Sequence, residues 1–283
     1  DNPKKTLPSG WNVALREYKG DAIIKVDAHA VIPEDFVSKN VRVLETGEYI
    51  CGGQRPNIID KPTPFKETLL LAESSMFGSS IASYRNNPGK TYVKSLFHAA
   101  YRREVFEKVG FFNEELVRTE DNEIHYRMRK AGYKLCFDPD IISYQYTRSS
   151  LKAMLKQKYA NGYWIGKTSK VCPKCLSIYH FVPFAFVSAI IASGSVIGAT
   201  GLAECIKKRH NHTLGKGISA LRKVTVVLTT VMWVLYALMA SGMAAVSAFK
   251  AEDKRNITNA CLPVLFLLLH LSYGIGTIAG LMD

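Results

Sequence analysis

The feature that most constrains this chain is a change of character near residue 180. Only 9 of its 37 Lys and Arg, and 4 of its 24 Asp and Glu, lie beyond Tyr179. Three stretches there, 181–203, 224–249 and 260–282, carry no Asp, Glu, Lys or Arg and contain a single histidine, His270. Each is long enough to cross about 30 Å of hydrocarbon as a helix rising ~1.5 Å per residue. A helix is required, because lipid offers the backbone no hydrogen-bond partner. Long buried helices of a soluble core are the alternative, and three such runs in succession argue against it. Gly194, Gly198 and Gly201 in the first run, and Gly274, Gly276 and Gly280 in the third, would let helix backbones approach closely. Pro183 and the glycines also suit the first run to an interfacial or re-entrant element, so two to three transmembrane helices are expected.

Basic residues suggest an orientation. Arg148, Lys152, Lys156, Lys158, Lys167, Lys170 and Lys174 precede the first run. The positive-inside rule puts that flank, and the domain before it, in the cytoplasm of a multi-pass cell-membrane protein. The loop carrying Lys207, Lys208, Arg209, Lys216, Arg222 and Lys223 has the same sign. Three full crossings would place it outside, against the rule; a first segment that does not span removes the conflict. The opening Asp1-Asn2-Pro3-Lys4-Lys5 reads as a loop entered partway through a domain, with no signal-peptide pattern. Six scattered cysteines make no disulfide framework and fit a reduced compartment. Cys172-Pro173-Lys174-Cys175 has zinc-like spacing, but a structural zinc needs four ligands and no second pair follows at suitable distance; His210 and His212 lie in the next loop, and two membrane-proximal segments would have to meet.

The front portion alternates helix and strand signals, which points to an α/β domain with a mostly parallel sheet. Ser9 is placed to cap a helix running to residue 18, and 33–44, 65–77, 102–109 and 120–131 read as helices. Short apolar runs at 22–26, 48–53, 133–137 and 141–146 read as strands, the second running into a glycine turn at Gly52 and Gly53. The chain therefore divides into 1–148, an α/β domain; 149–179, a basic amphipathic segment expected to lie at the membrane surface; and 180–283, the transmembrane region. Tyr163 and Trp164 would sit at headgroup level.

Two places carry candidate chemistry. Asp27 and His29 end the first strand, in Val26-Asp27-Ala28-His29-Ala30. Ligands of open α/β sheets bind beyond the carboxyl ends of strands. A carboxylate and an imidazole there can hold Mg²⁺ or Mn²⁺, which would neutralise a diphosphate leaving group. The plain structural reading is an Asp that closes a turn and a solvated His. The second place is Thr119-Glu120-Asp121-Asn122-Glu123. A capping Thr with acids in the first turn complements the helix dipole; the functional reading is a carboxylate that takes a proton from an attacking hydroxyl.

Several stretches together resemble family-2 glycosyltransferases of the bacterial membrane-anchored exopolysaccharide type, close to the succinoglycan-type glucosyltransferases. They are Gly20-Asp21-Ala22-Ile23-Ile24-Lys25-Val26-Asp27-Ala28-His29-Ala30, Tyr101-Arg102-Arg103-Glu104-Val105-Phe106, Thr119-Glu120-Asp121-Asn122-Glu123 with Arg127, and the late His270-Leu271-Ser272-Tyr273-Gly274. The resemblance covers nearly the whole chain. It implies a GT-A, Rossmann-like nucleotide-sugar transferase domain lacking its first strands, and inverting transfer by direct displacement. Asp27 falls on the first acid of the family's Asp-x-Asp metal motif; His29 replaces the second acid, as a ligand of the metal or of the sugar. Asp121 falls on the catalytic base, with Glu120 before it. Arg102 and Arg103 fall on the donor side. Gln157 and Trp164 loosely match the Gln-x-x-Arg-Trp motif of processive synthases, on the acceptor or diphosphate side, with the spacing and the arginine lost. The implied partners are a nucleotide sugar (UDP-hexose), a polyprenyl-diphosphate-linked acceptor and the membrane.

The net charge of +13 suits that reading. It equally suits a non-catalytic membrane protein whose basic cytoplasmic domain binds anionic lipid or partners. Nucleic acid is not expected, because the basic residues after Arg148 follow the membrane flank and form no groove-reading motif.

Overall fold

A computed structural model describes residues 1–2, 4–78, 89–209, 215–251 and 256–283. Pro3, in the expected opening loop, and His210 and His212, the histidines considered with the cysteine pair, lie outside the described residues.

The chain begins with α1 (Leu7–Glu17), β1 (Ala22–Ile24), β2 (Ala30–Val31), α2 (Phe36–Glu45), β3 (Ile50–Gln54) and β4 (Asn57–Ile58). It continues through α3 (Pro64–Ser74), β5 (Thr91–Val93), β6 (Ala99–Arg102), α4 (Arg103–Val109), α5 (Glu120–Lys130), β7 (Leu135–Ile142) and β8 (Tyr144–Tyr146). Four long helices follow, α6 (Leu151–Val171), α7 (Val182–Arg209), α8 (Lys216–Lys250) and α9 (Leu262–Met282).

The main sheet has five strands in the order β1-β6-β3-β7-β5. Only β3 and β7 pair in parallel; β1–β6, β6–β3 and β5–β7 are antiparallel. This corrects the expected mostly parallel sheet. The short β6 enters between β1 and β3 and runs against both. A smaller sheet, β2-β8-β4, lies beside it. Gly52 and Gly53 make no turn. They sit inside β3, where the register with β7 shifts, and a Cβ on Gly53 would fall on the carbonyl oxygens of Ile141 and Asp138. The glycines therefore let the parallel neighbour close in at a bulge.

Helices cover both faces of the sheet. One core joins Leu15, Ile50, Leu96, Tyr101, Phe106, Ile124, Met128 and Phe137. The other puts Phe36, Val43 and Leu44 of α2 on Cys51, Ala100, Cys136 and Ile141. Ser9 caps nothing. It lies within the first turn of α1, whose N-cap position is Thr6, and its hydroxyl bonds Asn2. Pro64 at the first position of α3, with Thr63 accepting from Lys66 N, starts that helix in the usual way.

The last three helices are long and apolar enough to cross a membrane: Ile178–Lys207, Lys216–Lys250 and Ile257–Met282, with mean hydropathy 2.0, 1.9 and 1.9. Their glycines behave unequally. Gly194 and Gly198 meet nothing, so the first of these helices makes no close approach there. Those of α9 do. A Cβ on Gly276 would fall on the Tyr159 carbonyl oxygen, and one on Gly280 on that of Tyr163. From α6, Gly162 and Gly166 press equally on the Tyr273 and Thr277 carbonyls, and Ser272 Oγ donates to Leu155 O at 2.8 Å. These pairs advance together along both helices, so α6 and α9 run parallel with their backbones in contact. Gly274 faces the other way, onto Pro183 of α7. The basic segment expected at the membrane surface forms helix α6, fastened along its length to α9.

Helix α3 anchors the sheet domain to this group. Leu69, Leu71 and Ala72 share a core with Met154, Ala240, Leu262 and Phe266. Thr68 Oγ1 donates to Asn259 Oδ1 at 2.7 Å, and Lys158 Nζ of α6 meets Glu73 Oε1 at 2.9 Å in a buried ion pair.

Gly276→Val is expected to lower the thermal midpoint of the detergent-solubilised chain, at a cost of about 1–3 kcal/mol for overpacking a closed contact. Gly194→Ala, with open space around it, should stay within about 0.5 kcal/mol. Equal effects of the two changes would show that the α6–α9 contact carries no stability.

Candidate active site

Between the sheet domain and the long helices lies a cavity of about 1270 Å³. Lys25, Asp27, His29, Glu120, Asp121 and Gln157 all line it. So do His270 and Tyr273 of α9 and Val182 and Pro183 of α7.

Lys25 follows β1, its backbone still paired with Ala99 O at 2.9 Å. Its side chain is buried, with Nζ 3.4 Å from Glu120 Oε1. Asp27 sits two residues on, in a turn closed by Ala30 N donating to Asp27 O at 3.0 Å. The short β2 then pairs with β8, Ala30 opposite Gln145. That register brings His29 to Gln145, whose Nε2 donates to His29 Nε2 at 2.8 Å.

The acidic residues open α5. Thr119 occupies its N-cap position but makes no capping bond; its hydroxyl bonds the Thr168 hydroxyl of α6. Glu120, Asp121 and Glu123 complement the helix dipole at one end, and Arg127, Arg129 and Lys130 at the other. Beneath them His125 is buried, with Tyr101 Oη 2.8 Å from Nε2 and Ser95 Oγ 3.0 Å from Nδ1. This network ties α5 to β6. The helix start is thus held by α6 above and the sheet below.

One ammonium serves three carboxylates here. Burial raises the Glu120 carboxyl, and the neighbouring Asp121 charge adds to it; Lys25 opposes both, and the result is about 7. Asp121 is also raised, first by burial, against the pull of Lys25. Its Oδ1 accepts from Asn122 N at 2.8 Å. For Asp27, burial is outweighed by His98 and Lys25, and the carboxyl falls below its usual range. Burial likewise lowers Lys25, but Glu120, Asp121 and Asp27 together raise it.

His98 went unnoticed in the sequence. It lies just before β6, with Nδ1 2.8 Å from Ser143 Oγ. Its Nε2 stands 3.9 Å from Asp27 Oδ2, too far for a hydrogen bond. Burial lowers its own pKa despite Asp27. The imidazole acts on Asp27 from this distance, and Lys25 adds its positive charge in keeping that carboxyl ionised. The sequence signal for His98 was a histidine in the apolar run 96–101, with no pattern to give it a role.

The other sequence candidates are scattered. Arg102 is turned to the carbonyls of Glu48 and Leu44, and Arg103 to those of Gly20 and Tyr18. Both staple loops and lie outside the cavity lining. Of the α6 pair, Gln157 lines the cavity and Trp164 does not; Asn161, one turn on from Gln157, takes that wall.

Among the described residues no cluster of three or more His, Cys, Asp and Glu could hold a metal. The donor set fits a cation that arrives with its phosphates. Mg²⁺ commonly takes one or two carboxylates and fills its remaining positions with phosphate and water. Asp27 Oδ1 is buried without a hydrogen-bond partner among the described residues, and His29 lines the same cavity.

Comparison with known proteins agrees with this geometry. The family model described as "Glycosyl transferase family group 2" matches residues 22–277, from β1 into α9. Succinoglycan biosynthesis protein ExoA of Rhizobium meliloti (strain 1021) is 28% identical over 167 residues, 57% of this chain and 49% of that protein. A Methanococcus voltae protein, dolichyl N-acetyl-alpha-D-glucosaminyl phosphate 3-beta-D-2,3-diacetamido-2,3-dideoxy-beta-D-glucuronosyltransferase, is 24% identical over 198 residues, 68% and 60% of the two chains. The O-antigen chain rhamnosyltransferase RfbN of Salmonella typhimurium is 29% identical over 133 residues, 45% and 42%. The chain spans about half the length of these relatives. Its mixed α/β sheet followed by apolar helices is consistent with a GT-A domain joined to a membrane region.

Glu120 binds its proton more tightly folded than unfolded. Its contribution to stability is therefore complete below its ordinary value of 4.5 and is lost as pH rises through about 7. Lys25→Met removes the cation that opposes this shift. The Glu120 midpoint, read by NMR of ¹³C-labelled carboxyls, should rise above 7, and the loss of stability should extend to higher pH. An unmoved midpoint would show that Lys25 does not set it.

Proposed function

The chain belongs to glycosyl transferase family group 2, and from that membership we propose that it moves a hexose from a UDP-linked donor to a saccharide carried on a polyprenyl diphosphate lipid, inverting the anomeric carbon. The observation that carries this reading is the shared cavity. It puts Asp27 and Asp121 on one surface with the first turn of α7 and the middle of α9. A water-soluble nucleotide and a lipid-borne acceptor need such a meeting place. The names of the relatives, a succinoglycan biosynthesis protein and an O-antigen rhamnosyltransferase among them, support assembly of an exopolysaccharide or cell-surface glycan.

In this mechanism Asp121 is the base. Burial raises its carboxyl above the ordinary value, the direction that makes it a stronger proton acceptor. It takes the proton of an acceptor hydroxyl, and the hydroxyl oxygen bonds to the anomeric carbon. The bond from that carbon to the diphosphate oxygen breaks, and the electron pair leaves with the nucleotide. Glu120, poised at about 7 beside Lys25, keeps a second exchangeable proton next to the base. Asp27, kept ionised, would hold a divalent cation, Mg²⁺ or Mn²⁺, with His29 beside it. When bound, that cation neutralises the charge that develops on the departing diphosphate. The sheet domain faces the cytoplasm, where nucleotide sugars are made. The basic flank before α7 favours anionic lipid head groups by about 1 kcal/mol per Lys or Arg near the surface.

Asp121→Asn is expected to cut turnover by about 10² or more, the range for losing a general base, while donor binding survives. Wild-type turnover in this variant would refute the base assignment. Asp27→Ala should weaken metal-dependent UDP binding, measured by titration calorimetry with and without Mn²⁺. If binding and its metal dependence are both retained, Asp27 is not a ligand.

A further inference from the structure

Two guanidiniums share a wall of the cavity. Arg118 and Arg148 both line it, the first just before the acidic start of α5 and the second just before α6. Arg118 Nη1 donates to Asn161 Oδ1 of α6 at 3.0 Å, which fixes one nitrogen and leaves the rest of the fork open. Neither arginine is in a salt bridge with any described carboxylate. The two repel one another: burial lowers the Arg118 pKa and the Arg148 charge lowers it further, more than the Glu120 charge makes up. Like charges left side by side in a cavity wall are stabilised when an anion lies between them. Guanidinium forks match phosphate oxygens in pairs.

The same cavity has an apolar side. Ile178, in the turn before α7, and Val182, its first residue, line it with 87% and 61% of their surfaces exposed. A ligand that satisfies both walls has an anionic head and an apolar tail. We propose that Arg118 and Arg148 form the subsite for the diphosphate of a lipid-linked acceptor, separate from the place where Asp27 meets the donor. Arg118 stands three residues before Asp121. A diphosphate held there would put the first sugar of its lipid beside the base, and the tail would leave along Ile178 and Val182. This assignment rests on the transferase reading above and adds to it the residues that recognise the acceptor.

The test is calorimetric titration of the full chain in detergent. Farnesyl diphosphate is the probe for a lipid diphosphate, and UDP with Mn²⁺ is the probe for the donor. Arg148→Ala should weaken farnesyl diphosphate by about tenfold or more, as for a lost charge-assisted hydrogen bond, and leave UDP within about twofold. Asp27→Ala should do the reverse. Arg148→Gln, which keeps the stem of the side chain, should repeat the alanine result at an unchanged thermal midpoint, and it decides the matter if the alanine variant is less stable. Unchanged farnesyl diphosphate binding in both arginine variants overturns the inference. So does a matching loss of UDP, which would make the pair a donor subsite. A wild-type chain that binds UDP but not farnesyl diphosphate overturns the inference alone; one that binds neither overturns the transferase reading with it.

Discussion

The geometry of this protein hangs on a contact made without side chains. Gly162 and Gly166 of α6 meet carbonyls of α9, and Gly276 and Gly280 of α9 meet carbonyls of α6. With no Cβ between them, the interhelical distance is set by backbone atoms, which do not adjust as side chains do. Everything that α6 holds inherits that position. Lys158 grips Glu73 of α3, Asn161 holds Arg118, and Thr168 holds Thr119 at the start of α5. The helix is thus a strut between the apolar helices and the two acids that face the cavity. A shift of α6 would move the sheet-side wall and the lipid-side wall relative to each other, and chemistry between two substrates depends on that separation.

Within the cavity the deciding quantity is a charge imbalance. Lys25 interacts with Asp27, Glu120 and Asp121 together. Burial makes it too costly to ionise all three acids at once. The environment sorts them. Asp27, nearest the neutral His98 and within the field of Lys25, keeps its charge. Glu120 and Asp121, side by side, have their pKa values raised. Splitting the pKa values of neighbouring acids is how one site acquires both a fixed charge and a proton acceptor.

Much of this was legible in the residues. The apolar runs, the acid-to-basic polarity of α5 and the placement of Asp27 after a strand all follow from local pattern. What escaped depends on partners far away in the chain. Strand β6, Ala99–Arg102, is four residues long with two alanines, and only its place between β1 and β3 makes it a strand. Thr119 looked like a cap, and its hydroxyl reaches instead across 49 positions to Thr168. Arg102 and Arg103 were expected on the donor side from the resemblance alone. Here both are turned to backbone carbonyls, of Leu44 and Glu48 and of Tyr18 and Gly20, an equally good use of a five-donor fork. The lysines of α6 spoke for a surface helix and concealed its glycine face, because charge dominates any hydropathy reading of a helix with one small-residue stripe.

That glycine face also bears on how the long helices meet a bilayer. α7 and α8 are alike: in each, only 6% of the most apolar window is buried by protein, against 39% for the third helix. The cover on that third helix comes largely from α6, which brings Lys152, Lys156, Lys167 and the buried Lys158–Glu73 pair with it. Two parallel helices in backbone contact share one direction. For α9 to stand across the hydrocarbon, α6 would have to stand beside it and carry those charges to the depth where they are most costly. Laid in the interface, the pair keeps its lysines at headgroup level and its apolar side toward the acyl chains. An α7–α8 hairpin between them also returns the chain to the side it left, as the α6–α9 contact requires. Length and apolarity qualify α9 to cross a membrane, and its backbone contact with α6 ties the depth of one helix to that of the other.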